Sequence, residues 1–131
     1  MNKTLVSSAL IAALLLIGTE ASAASPADKA QAGMASYYHD RFNGRRTASG
    51  ARYNKGELSA AHKTLPLGSR VRVTDSRSGR SVVVRINDRG PYARGRVIDL
   101  SRAAASEIGL VSKGVSRVTL EVLKVSGEVG T

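Results

Sequence analysis

Residues 81–88, SVVVRIND, constrain this chain more than any other stretch. Successive side chains of a strand point to opposite faces. Val82, Val84, Ile86 and Asp88 therefore share one face, and Arg85 and Asn87 share the other. An apolar row of β-branched residues makes this a strand with one buried side. The same alternation returns in RVRVTD (70–75) and in SRVTLEVLKV (116–125), where Val118, Leu120 and Val122 fall on one face. GMASYY (33–38) and GRVID (95–99) read as two further strands. Only SRAAASEIG (101–109) has helical character. Ser101 suits the N-cap, the alanines are strong helix formers, and Gly109 suits the position just past the end. Short strands separated by turn residues predict an all-β domain closed into a small barrel. A parallel α/β sheet would need more helices.

The amino terminus stands apart from this pattern. MNKTLVSSALIAALLLIGTEASAA combines Lys3, an apolar run from Leu5 to Ile17, and small residues at Ala21-Ser22-Ala23. That is the pattern of a secretory signal peptide, and the run is short for a span of about 20 residues. The expected organisation is a signal peptide over 1–23, a linker over 24–32, the barrel over 33–125 and a tail over 126–131. Export implies a periplasmic or secreted monomer with no membrane anchor after cleavage.

Setting Lys3 and Glu20 aside leaves 19 basic and 9 acidic residues in a chain of net charge +10. Such a surface suits polyanions. Outside the cytoplasm, wall polymers and membrane surfaces are more available than nucleic acid, which is not expected as a partner. The chain has no cysteine, which excludes thiolate zinc sites, cysteine nucleophiles and disulfides. With His39 and His62 as the only histidines, no metal site and no cofactor are expected.

Asp88 ends the apolar row where the strand gives way to Gly90-Pro91. Burial there would favour its protonated form and nearby arginine its carboxylate. A general acid/base fits that position; so does a turn aspartate that bonds backbone amides. His62, in LSAAHKTLPLG (58–68), has small neighbours that leave room for a ligand, and equally suits a histidine bonded within the fold. Asp99 stands just ahead of the helix and reads as structural, since a negative charge there is favourable. All five aromatics lie between Tyr37 and Tyr92, where they either flank a sugar groove or fill the core. The long segment 39–57 carries turn markers at Asn43-Gly44, Ser49-Gly50 and Gly56, and a loop of that length in a small domain is commonly functional.

GMASYYHDRFNGRRTASGARYN, LSAAHKTLPLGSRVRV and VVVRINDRGPYARGRVIDLSRAAA, in that order and spacing, closely resemble the rare lipoprotein A (RlpA) family. The resemblance covers nearly all of residues 33 to 123. It implies a six-stranded double-psi β-barrel with one or two short helices, as in expansins. It also implies a lytic transglycosylase acting on peptidoglycan glycan strands, preferably free of stem peptides, that leaves 1,6-anhydro-muramic ends. By the same resemblance Asp88 falls on the catalytic aspartate and His62 on the required histidine. Tyr38, Thr47, Ser49, Tyr53, Asn87 and Arg89 would line the substrate groove. One departure stands out. The family's usual glutamate after TASG is Ala51 here, which opens the alternative of a non-catalytic, expansin-like module that binds or loosens wall glycan. The lipobox cysteine and the carboxy-terminal glycan-binding repeat of long members are also missing from these residues.

Overall fold

A computed structural model describes residues 30–125. The expected signal peptide, most of the expected linker and the tail lie outside the described residues. Six strands follow in chain order: β1 (Gln31–Tyr37), β2 (Ser59–Ala61), β3 (Arg70–Asp75), β4 (Ser81–Asp88), β5 (Arg96–Leu100) and β6 (Ser116–Lys124). One helix, α1 (Arg102–Glu107), sits between β5 and β6, and a 3-10 turn covers Asp40–Phe42. The strands close into a barrel in the order β1-β5-β2-β4-β3-β6. The β1/β5 and β2/β4 pairs are parallel, and the other four pairings are antiparallel. The all-β closed barrel expected from the alternation is the fold observed.

β3 and β4 fall on the segments the alternation marks, because each has one side that is mostly apolar and buried. Val71 and Val73 on β3, Val82, Val84 and Ile86 on β4, and Val118 and Leu120 on β6 all point into the barrel. β5 adds Ile98 and Leu100, and α1 closes one side with Ala104, Ala105 and Ile108. Each large aliphatic side chain buried this way contributes roughly 1.5–3 kcal/mol. The Ser101 hydroxyl caps α1 by accepting from the Ala104 amide at 3.2 Å. Gly109 follows with φ 75°, a conformation that favours glycine.

Two departures from expectation bear on the site. β1 starts at Gln31, two residues into the expected linker, because Gln31 and Ala32 pair with Leu120 and Thr119 of β6. β2 is a strand that the sequence pattern does not announce. Its three residues, Ser59, Ala60 and Ala61, are all buried between β4 and β5, so no exposed position interrupts them to create an alternation.

That short strand sets the geometry of the site. Ala61 is the register partner of Asp88 on one side and of Asp99 on the other, and Asp99 is the partner of Ser36 on β1. Asp88, Ala61, Asp99 and Ser36 thus form one lateral row across four strands. With neighbouring strands about 4.8 Å apart, the two aspartate backbones are roughly 10 Å apart, separated only by an alanine.

Candidate active site

Asp88 is the last residue of β4, and its carboxylate is held from three directions. Oδ1 accepts the Ala48 amide at 2.9 Å and the Arg89 amide at 2.9 Å. Oδ2 accepts a short hydrogen bond from the Tyr38 hydroxyl. The turn-aspartate and acid/base readings of the sequence are therefore compatible: one oxygen bonds backbone amides and the other is aimed elsewhere. The chain leaves the strand through Gly90, at φ 113°, where a side chain would be strained.

Asp88 lines a cavity of about 540 Å³ together with Tyr38, Thr47, Arg89, Tyr92 and Asp99. Burial, followed by the hydrogen bond to Asp88, pushes the Tyr38 phenol far above its ordinary range. Tyr38 is therefore a permanent donor to Oδ2. Its ring stacks on Tyr53 at 4.5 Å and 17°, and meets Phe42 edge-on at 6.1 Å. Offset stacking of this kind fixes the ring and hence the hydroxyl.

The residues singled out from sequence distribute unevenly. Tyr38, Thr47, Tyr53, Asp88 and Arg89 border the Asp88 cavity. Tyr53 is not available to stack on a sugar, however. It is 2% exposed, one ring face is covered by Tyr38, and its hydroxyl accepts the Arg102 amide at 3.0 Å. The Arg89 guanidinium is likewise spent on the fold, donating to the carbonyls of His62 at 3.0 Å and Leu65 at 2.7 Å. Thr47 donates to the Ala51 carbonyl at 2.7 Å, which shapes the 47–51 turn. Ser49 and Asn87 border a separate cleft on the outer wall. The register of β4 with β2 shifts between Ile86 and Asp88, so Asn87 falls at an irregularity of the strand and lines the cleft instead of the Asp88 cavity.

His62 is not brought into the Asp88 cavity. It borders a cavity of about 140 Å³ with Gln31, Lys63, Thr64 and Val97. Its Nδ1 accepts the Thr64 and Leu65 amides, each at 3.1 Å, so Nε2 carries the proton and donates to Gln31 Oε1 at 2.9 Å. Burial, then the Arg89 and Lys63 charges, lower its pKa below 6.5. The ring is a neutral brace for the 62–65 turn, whose carbonyls hold Arg89, whose amide in turn holds Asp88.

Asp99 is bonded within the fold, as a structural residue should be, while Ser101 supplies the cap of α1. Its Oδ1 accepts from Ser36 Oγ at 2.6 Å and pairs with Arg96 at 3.3 Å, and it lines the same cavity as Asp88. Nothing local in RVIDLS signals this, because it depends on the β5–β2–β4 register. Tyr92 is one of the aromatics for which the sequence leaves groove and core both open, and it lies on the cavity. At 77% exposed it is the accessible aromatic on the cavity rim. Among the described residues, no three His, Asp or Glu side chains converge on a point where they would hold a metal.

Residues 30–120 match the family model described as lytic transglycolase. The chain belongs to the lytic transglycolase family. Its double-psi barrel is 59% identical over 96 residues to the endolytic peptidoglycan transglycosylase RlpA of Pasteurella multocida, covering 73% of this chain and 33% of that one. It is 56% identical over 94 residues to the protein of the same name from Haemophilus influenzae, covering 72% and 33%. The resemblance to RlpA read from the three motif blocks is thereby borne out. The chain spans about a third of the length of these relatives. Among solved structures, the Streptomyces papain inhibitor superposes with a TM-score of 0.58 at 25% identity, covering 72% of this chain and 94% of that one. The apo expansin of Clavibacter michiganensis superposes at 0.55 with 18% identity, covering 77% and 52%. The expansin likeness is one of fold.

Proposed function

We propose that this lytic transglycolase barrel cleaves the β-1,4 bond between N-acetylmuramic acid and N-acetylglucosamine in peptidoglycan glycan strands, leaving 1,6-anhydro-muramic ends. The observation that carries the reading is the bonding of Asp88. With Oδ1 saturated by two backbone amides, the only place for a transferable proton is Oδ2, beside the Tyr38 hydroxyl. Asp88 Oδ2–H gives its proton to the glycosidic oxygen as the bond to the muramic C1 breaks. The resulting carboxylate is stabilised by the Tyr38 hydroxyl and the two amides. The muramic C6 hydroxyl then attacks C1, and the same carboxylate takes its proton. One residue serves as acid and then as base, so the second carboxylate of ordinary glycoside hydrolysis is not required, and a wall enzyme with Ala51 retains its chemistry.

In this reading Asp88 is the catalytic residue and Tyr38 touches the reacting oxygen. Tyr92 and Thr47 face the sugar, and Asn87 and Ser49 contact the strand where it leaves the cavity. Arg89, Tyr53 and His62 act as positioning residues through the contacts described above. The protein works on the wall outside the cytoplasm, in the periplasm or secreted, as a monomer and without a cofactor.

The test is incubation of purified protein with peptidoglycan glycan strands lacking stem peptides, with Asp88→Asn alongside, and mass spectrometry of the soluble products. Anhydro-muramic ends from the parent that vanish with Asp88→Asn support the proposal. A second reading, a wall-glycan binding module, is favoured by Ala51. It prevails if the parent sediments with the glycan and yields no anhydro ends, and if Ala51→Glu then restores cleavage.

A further inference from the structure

The outer wall of the barrel carries a charge arrangement that folding alone does not explain. Arg70 on β3 and Arg85 on β4 are direct register partners in an antiparallel pair, so their backbones are roughly 5 Å apart. Both are exposed and lie on the same outward face. Arg70 is also the register partner of Lys124 on β6. Like charges opposite one another destabilise a sheet, and guanidinium groups do not relieve repulsion by losing a proton. Among the described residues, none of these three cations takes part in an ion pair. Arg72, one position further along β3, shows the usual solution, bonding Glu121 at 2.7 Å.

The two arginines flank an open cleft of about 780 Å³. Its lining includes Ser49, Asn87 and the side chain of Glu57, which forms no ion pair among the described residues. The cleft adjoins the Asp88 cavity. Asn87 and Asp88 are consecutive, Asn87 lining this cleft and Asp88 the other cavity, and the 47–51 turn bridges them: the Ser49 amide donates to the Asn87 carbonyl at 3.1 Å and the Ala48 amide to Asp88 at 2.9 Å. A polymer that lies across Asp88 and continues over that turn would reach the arginine wall.

We infer that Arg70 and Arg85 form a subsite for carboxylate groups carried by the glycan strand, about one sugar or more beyond the bond at Asp88. The inference rests on the proposed passage of wall glycan over Asp88. Two adjacent guanidinium groups match one carboxylate bidentately or two in sequence. The occupant neutralises a pair that the empty fold leaves repelling. Peptidoglycan offers this chemistry from two sources: the lactyl carboxylate of a muramic residue without its stem peptide, and the carboxylates of the stem peptides themselves.

The experiment measures co-sedimentation affinity at low salt for three strands: bare strands with free lactyl carboxylates, the same strands converted to N-methylamides with carbodiimide and methylamine, and strands bearing stem peptides. Parent, Arg70→Gln/Arg85→Gln and the control Arg77→Gln/Arg117→Gln are compared, the control losing the same charge at residues that border another cavity. The inference expects the Arg70/Arg85 variant to bind its preferred strand about tenfold more weakly, within reach of losing charge-assisted bonds. The control should lose less than threefold. The melting temperature of Arg70→Gln/Arg85→Gln should equal or exceed that of the parent, because a repulsion has been removed. Loss on bare strands, with amidation doing the same to the parent, identifies the lactyl group; loss confined to stem-bearing strands identifies the peptide carboxylates. Equal losses in both double variants, or parent-like binding by Arg70→Gln/Arg85→Gln, overturns the inference. Sedimentation does not depend on cleavage. Discrimination without anhydro ends sinks only the enzymatic reading, and anhydro ends without discrimination sink only the subsite.

Discussion

Asp75→Asn tests how this cysteine-free barrel holds its β3–β4 corner. Asp75 is wholly buried at the end of β3, accepts from Lys113 Nζ at 2.8 Å and from the Arg77 amide at 2.9 Å. The Lys113 bond is the main reason its pKa falls from 3.8 to about 2. Between about pH 2 and 4 the unfolded chain binds a proton that the folded chain does not, so stability rises with pH through that window and is complete above it. A shift of nearly two units, at 1.36 kcal/mol each, makes the ionised group worth about 2 kcal/mol near neutrality. Asparagine keeps the shape and the Arg77 bond but has no charge for Lys113, whose half-exposed side chain can turn to water. Urea unfolding at pH 7 should therefore show a midpoint about 1–2 M lower for Asp75→Asn, given a slope near 1 kcal/mol per M for a domain of this size. As the pH falls below about 2, where the parent carboxyl becomes protonated too, the two midpoints should converge. A pH-independent gap, or a gap under about 0.5 kcal/mol at pH 7, would refute the assignment of that stability to the ionised Asp75.

Tyr38→Phe removes the hydroxyl donor on Asp88 Oδ2 while keeping the stack on Tyr53. Formation of anhydro ends should slow by about 10- to 100-fold, the equivalent of one hydrogen bond to a charged group, with the melting temperature little changed; a loss under threefold would dissociate Tyr38 from the chemistry. Neutral His62 contributes stability that is complete above about pH 6.5 and declines below it, because protonation would place a hydrogen on Nδ1 against two amide donors. His62→Gln should flatten the stability profile below about pH 6.5, which thermal melts at falling pH will show. Gly33 faces the branched side chain of Val97 with no room for a Cβ between them. Gly33→Ala should cost about 1–3 kcal/mol by overpacking, and Val97→Ala in the same chain should recover most of that in chemical denaturation.

Much of the barrel was legible because its long strands are half buried. RVRVTD alternates over its six residues and SVVVRIND over its first six, and the observed boundaries coincide with the pattern. β2 was illegible for the opposite reason, being buried on both sides and too short to show a period. Asp88 stood out because it continues an apolar row to a Gly-Pro turn, a local property. The roles of Arg89, Tyr53 and His62 were not local. Each is a polar group whose partner lies 24 to 49 residues away in sequence.

By itself, then, the sequence determined the strand faces, the cap and end of the helix, and the residue placed at the mouth of the Gly90 turn, since all of these follow from side-chain period and backbone conformation. Only the tertiary structure decided which carboxylates share a cavity. Closure of the barrel inserts Ala61 between Asp88 and Asp99, turns His62 toward Gln31, and sets Arg70 against Arg85. Register between strands far apart in the chain fixes those neighbours, and a shift of one residue would move every one of them to the other face of the sheet.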